Sequence, residues 1–135
     1  MYLLDTNVVS ELRKAKPHGA VAAWFGTVPT RDLHVSAVTL AEIQRGIEIT
    51  QEQDEERAKQ LERWLDRLGE TSKIVPMDGD TFRIWARLMH GRGEHLYEDA
   101  MIAATALCHD LTVVTRNLRD FVHFHVPLLN PFDGR

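Results

Sequence analysis

Tyr2-Leu3-Leu4-Asp5-Thr6-Asn7 stands at the head of the chain, three apolar residues running straight into an acid and two further polar side chains. Such a run reads as a short buried strand that ends in a strand-to-helix turn. Outward from it, the pattern recurs. Leu33-His34-Val35, Lys73-Ile74-Val75 and Leu111-Thr112-Val113-Val114 read as further strands, and Val126 to Leu129 as a fifth. Helical patterns separate them. Leu61, Trp64, Leu65 and Leu68 repeat at i, i+3, i+4 and i+7, as do Phe82, Trp85, Ala86 and Met89, so each segment predicts an amphipathic helix with one wet face. Asp99 to Leu107 is apolar nearly all round and rich in alanine, which predicts a buried helix packed at close range. Strands alternating with helices predict an α/β fold around a central, mostly parallel sheet.

Composition bounds the function. A chain of 135 residues, 44% of them hydrophobic, fits one domain over residues 1–135 and fills one core without a disulfide or structural metal. The lone Cys108 has no internal bridging partner, and Met1 to Leu4 meets Asp5 too soon for a secretory h-region. No apolar run approaches the roughly 20 residues that span a bilayer. A soluble, cytoplasmic protein is expected. The formal charge of −4 argues against gripping nucleic acid by phosphate neutralisation alone. A metal-holding site must concentrate carboxylates, however, and a local Arg/Lys rim or a basic partner can supply the attraction. Thr50 to Arg57, dense in charge and Gln, reads as a solvated loop or helix start, and Pro131-Phe132-Asp133-Gly134 as a closing turn.

In an open parallel sheet, ligands bind beyond the carboxyl ends of the strands. Asp5 stands at such an end, either as a site carboxylate or as the N-cap of the following helix. Glu42 lies near the start of a helix carrying Leu40, Ile43 and Ile47; Thr39-Leu40-Ala41-Glu42 also fits a capping box, which by itself would account for Glu42. Asp99 shares the inward stripe of Ile102, Ala103 and Ala106, where an unpaired carboxylate is costly. A metal ion supplies a partner there. The competing account keeps Asp99 wet at a helix N-terminus, a role Glu98 fills equally. Beyond Val114 come Thr115, Arg116, Asn117 and Asp120; Asn117 and Asp120 are oxygen donors, and both are also ordinary turn residues. Together these positions fall on one edge of one sheet. Acids without His or Cys suit a hard cation, Mg²⁺ or Mn²⁺, and the chemistry such a centre supports is phosphoryl transfer.

In order, Leu3-Leu4-Asp5-Thr6-Asn7, Ser36-Ala37-Val38-Thr39-Leu40-Ala41-Glu42, Asp99-Ala100-Met101-Ile102-Ala103-Ala104-Thr105-Ala106 and Val114-Thr115-Arg116-Asn117 resemble the motif set of PIN-domain ribonucleases, more narrowly toxins of the VapC or FitB type. The resemblance covers essentially the whole chain. It implies a Rossmann-like, three-layer α/β/α fold with four to five strands, and acids matching Asp5, Glu42 and Asp99 that hold Mg²⁺ or Mn²⁺ for RNA cleavage. It also implies a homodimer, a VapB- or FitA-like antitoxin whose tail enters the acidic site, and operator DNA bound through that antitoxin. Asp5 and Asp99 are then the principal metal ligands, Glu42 a ligand or water-orienting base, Asn117 a neutral donor and Asp120 a further ligand through water. Thr6, Ser36, Thr115 and Arg116 support the site, Arg116 as a phosphate contact. Asn117 departs from the family pattern, since many relatives carry Asp there.

Other features read more simply. His123-Phe124-His125 has the spacing of two ligands on one strand face, and is expected to be an edge-strand or surface pair. Gly91-Arg92-Gly93 lacks the strand and Lys of a P-loop and reads as a flexible loop. Trp24, Trp64 and Trp85 each fall on an apolar helical stripe, which favours packing over base stacking. Two rival functions stand beside the nuclease: a non-catalytic PIN scaffold, and a phosphoacceptor domain using Asp5. The second would want paired acids after the first strand and a Lys after the last, and the chain offers Asp5 alone and Arg116.

Overall fold

The computed structural model describes residues 1–133, so Gly134 of the expected closing turn lies outside them. Five strands, β1 (Tyr2–Leu4), β2 (Leu33–Ser36), β3 (Lys73–Val75), β4 (Thr112–Val114) and β5 (Leu128–Leu129), form one sheet in the order β3-β2-β1-β4-β5. Every pairing is parallel. Seven helices connect them: α1 (Thr6–Arg13), α2 (Gly19–Thr27), α3 (Ala37–Gln51), α4 (Glu55–Thr71), α5 (Gly79–Met89), α6 (Tyr97–His109) and α7 (Leu118–Phe121).

Strand alternation divides the core into two layers, as a sheet covered on both faces requires. Leu3, Val75 and Val113 point to one face, where α6 contributes Ala100, Ile102, Ala103 and Ala106 and the C-terminal segment adds Phe121 and Phe124. Leu4, Leu33, Val35 and Val114 point to the other, against Val8 and Val9 of α1, with Trp24, Trp64 and Leu68 at its margin. The three tryptophans are thus packing residues: Trp24 meets Tyr2 edge-on, Arg13 lies over Trp64, and Trp85 packs against Phe82 and Tyr97.

Four alanines of α6 have no exposed surface at all, so this helix lies close upon the sheet. It is not buried all round, because Leu107 on its outer side is 37% exposed. Asp110, at φ 55°, closes α6, and Leu111 N–H donates back to Ala106 O at 2.9 Å, turning the chain directly into β4. Thr50 to Arg57 straddles a helix–helix corner at which Asp54 caps α4. His123-Phe124-His125 is not an edge strand: Val122–Phe124 is a 3-10 turn and His125 follows in the left-handed region, so alternation does not set the two rings. Gly91, at φ 77°, ends α5, and Arg92 is tied to Leu88 O and His123 O, a structural pin rather than a phosphate cradle.

Replacing Ala103 with Leu tests the close seating of α6. Three extra heavy atoms with nowhere to go should destabilise the fold by about 1–3 kcal/mol, read as a lower urea midpoint; an unchanged midpoint would show that α6 does not sit against the sheet as described.

Candidate metal and phosphodiester site

Register brings the site together. Leu4 pairs with both Val35 and Val114, so the next residues along, Asp5, Ser36 and Thr115, stand in one row at the carboxyl edge of the sheet. Asp5 is 5% exposed and anchored on all sides. Its Oδ1 accepts from Thr6 N–H at 2.8 Å; its Oδ2 accepts from Thr115 Oγ1 at 2.8 Å and from Asn7 Nδ2 at 3.2 Å. The N-cap reading of Asp5 holds, and the same carboxylate bonds Thr115 along the row at the sheet edge.

Glu42 does not sit in a capping box. Ser36, not Thr39, is the N-cap of α3, its Oγ accepting from Val38 N–H at 3.1 Å. Glu42 is consequently more than a turn into the helix, and its Oε1 accepts from Thr6 Oγ1 of α1 at 3.1 Å. Thr6 thus touches two acids, Asp5 through its amide and Glu42 through its hydroxyl. Asp99 comes from a third element, the first turn of α6, and is half-buried. Its neighbour Glu98 points elsewhere and pairs with Arg45 at 3.0 Å.

Burial and like charge act together on these groups. The Asp99 carboxyl is pushed up to about 7 from an ordinary 3.8, first by desolvation and then by the negative charges of Asp5, Asp120, Glu42 and Glu98. Burial also raises Glu42, with Asp5 and Glu98 adding to it and the Thr6 hydrogen bond opposing. Asp5 is raised by burial as well, against the pull of its three hydrogen bonds. Acids from β1, α3 and α6 and from the segment after β4 therefore share one electrostatic field.

Asn117 and Asp120 divide differently than motif position implies. The Asn117 amide N–H donates to Thr115 Oγ1 at 3.0 Å, while its exposed side chain makes no capping bond to α7. The negative charge felt by Asp5 and Asp99 is that of Asp120. Arg116 is exposed, with its guanidinium over the Phe132 ring at 4.5 Å and its amide donating to Asn7 Oδ1 at 3.3 Å. Asn7, which spacing alone did not single out, straps the end of β1 to the loop after β4. Its place two residues after Asp5, on the same turn, was the available signal.

Among the described residues, no three His, Cys, Asp or Glu side chains are gathered tightly enough to form a ready-made ion site. Burial and the neighbouring negative charges both raise the Asp99 carboxyl, which a cation placed among these acids would offset. In kind the donors fit a hard dication: carboxylate oxygens throughout, with neutral Thr and Asn beside them. An apolar cavity of about 420 Å³ lies elsewhere, lined by Val9, Leu12, Phe25, Trp64 and Leu68 and by none of these acids. That cavity offers apolar walls; the donor chemistry lies at the acidic edge.

The PIN domain family profile matches residues 2–125. The chain belongs to the PIN-domain family. It is 34% identical to the toxin FitB of Neisseria gonorrhoeae over 98% of this chain and 99% of that one. To the VapC ribonuclease Y4jK of Sinorhizobium fredii it is likewise 34% identical, over 98% and 99% of the two chains. The crystal structure of FitAcB from Neisseria gonorrhoeae superposes on this PIN domain with a TM-score of 0.82 at 31% identity, covering 98% and 99%. The expected three-layer α/β/α fold is thus the observed one.

A carboxyl that holds its proton more tightly once folded takes stability from the fold as pH rises. For Asp99 that loss runs from 3.8 up to about 7. The thermal midpoint of the metal-free protein should therefore fall across this window, and Asp99→Asn should reduce the fall and raise the midpoint at alkaline pH by roughly 2–5 °C. Circular dichroism melts across that pH range test this; identical pH profiles for the two proteins would remove Asp99 from the shared field.

Proposed function

We propose that this PIN domain, a single domain over residues 1–135, is a divalent-metal-dependent endoribonuclease and the toxin of a toxin–antitoxin pair. The observation that carries the reading is the common field of Asp5, Glu42, Asp99 and Asp120 at the carboxyl edge of a parallel sheet. Relatives named a toxin and a VapC ribonuclease, aligned nearly end to end, support it.

In this reading Asp5 and Asp99 are the principal ligands of Mg²⁺ or Mn²⁺, with Glu42 beside them and Asp120 reaching the ion through water. When bound, the ion supplies a lowered pKa for its water and charge neutralisation at the phosphate oxygens. The chain's own part is positional. Thr115, Asn7 and the Thr6 amide hold the Asp5 carboxylate in place and oppose the effect of its burial. Glu42, with its raised proton affinity, orients the attacking water and takes its proton. Arg116, spread over Phe132 at the rim, contacts a phosphate of the RNA, and Asn117 offers a neutral donor to the same strand.

The partners are those that the family resemblance implies, and the charge is compatible with them. A basic antitoxin residue entering the acidic edge relieves its repulsion and blocks it, which fits a VapB- or FitA-like tail. A homodimer of the chain, assembled with such antitoxins, would bind operator DNA through the antitoxin. No helix among the described residues is long and apolar enough to cross a membrane.

Purified protein incubated with single-stranded RNA should cleave it with Mn²⁺ and stop on chelation. Asp5→Asn should lower the rate by at least about a hundredfold while leaving the circular dichroism spectrum unchanged. No cleavage by the wild type under these conditions would favour a non-catalytic interaction module, and a fully active Asp5→Asn would remove the site.

A further inference from the structure

The hydroxyl pair under Glu42 has a direction. Thr6 Oγ1 donates to Glu42 Oε1 at 3.1 Å and lies 3.0 Å from Thr39 Oγ1. Each hydroxyl carries one proton, and an ionised carboxylate can only accept. The Thr6 proton is therefore committed to Glu42, and the remaining contact is Thr39 donating to Thr6. Thr39 itself has no exposed surface, and among the described residues this is its one side-chain hydrogen bond. Thr39 lies three residues before Glu42 on the same face of α3, yet it reaches Glu42 only through Thr6 of α1.

The chain matters because Glu42 is pulled two ways. It is the longest of the acids at the edge, with three rotatable bonds, and it is pushed by Asp5 and Glu98 and drawn toward Arg45. One hydroxyl resists those forces. With its lone pair occupied by Thr39, the Thr6 hydroxyl cannot turn its proton away from Glu42, and bonds in series polarise and strengthen one another.

We propose that Thr39 is a positioning residue that aims the Glu42 carboxylate by locking the Thr6 hydroxyl. The inference stands on the hydrogen-bond geometry; its catalytic consequence rests on the nuclease reading above. Thr39→Val keeps the shape and deletes the donor, and Thr39→Ser keeps the donor and deletes a methyl group. Two measurements are made on both variants and the wild type. Three-bond NMR couplings of the metal-free protein report the Glu42 rotamer, and steady-state cleavage of a single-stranded RNA with Mn²⁺ reports kcat and KM.

The expected result is one dominant Glu42 rotamer in the wild type and in Thr39→Ser, and averaged rotamers in Thr39→Val. With the averaging, kcat should fall about ten- to a hundredfold and KM stay near the wild-type value. An unaltered Glu42 rotamer in Thr39→Val overturns the proposal, as does equal impairment of Thr39→Val and Thr39→Ser, which would assign the effect to packing. Averaged rotamers in Thr39→Val alongside a wild type that cleaves no RNA would sustain the positioning role and dismiss the nuclease reading instead.

Discussion

Taking the Asp5 carboxylate out of water costs several kcal/mol unless its lone pairs find donors, and the local structure is arranged to supply them. Thr6 gives a backbone N–H from the first turn of α1, Asn7 a side-chain amide from the same turn, and Thr115 a hydroxyl from the end of β4. Two of these come with the local turn. The third requires β1 and β4 to be paired in register, so sheet formation and the anchoring of Asp5 are one event. Once Asp5 is fixed, its charge acts on Glu42 and Asp99, and the acidic edge acquires its character.

Holding acids together against their repulsion needs a rigid support, and the two layers of core provide it. On one side the alanines of α6 bring its N-terminal turn, and Asp99 with it, close to the sheet. On the other, Val8 and Val9 fix α1 against Leu4, Leu33 and Val35, which sets Thr6 beside Glu42. Among the described residues no buried side-chain nitrogen or oxygen lacks a hydrogen-bond partner, so electrostatic strain is concentrated where the carboxylates meet. The net charge of −4 then belongs with an acidic edge rather than with a nucleic-acid-gripping surface. Arg116, held over Phe132, is a cation stationed near it.

Strand positions were readable because the short apolar runs of β1, β2, β4 and β5 end in a polar residue and that of β3 in Pro76, and parallel pairing aligns those ends. The same logic exposed Asp5 and Thr115 at strand tips and Asp99 on an otherwise apolar stripe. Glu42 was ambiguous for a local reason. Ser36 and Thr39 are both good caps three residues apart, and only the true end of β2 decides that Ser36 does the capping and frees Thr39. The Thr6 contacts to Thr39 and Glu42 join α1 to α3 across more than thirty residues, a relation that helical periodicity cannot express. Asp120 was readable as an oxygen donor or a turn residue but not as a charge acting on Asp5 and Asp99, because that effect is one of distance through space. Alternation misled at His123 and His125, where a 3-10 turn and a left-handed residue replace the strand.

The sheet order carries a consequence for synthesis. β1, which is made before the other four strands, ends in the middle of the finished sheet, flanked by β2 and by β4. Until residues 112–115 have left the ribosome, Leu4 lacks its Val114 partner and Asp5 lacks the Thr115 hydroxyl. Long-range pairing of this kind cannot be completed by the nascent N-terminal part alone. The donor set around Asp5 therefore closes only when a segment 110 residues further along the chain has been made.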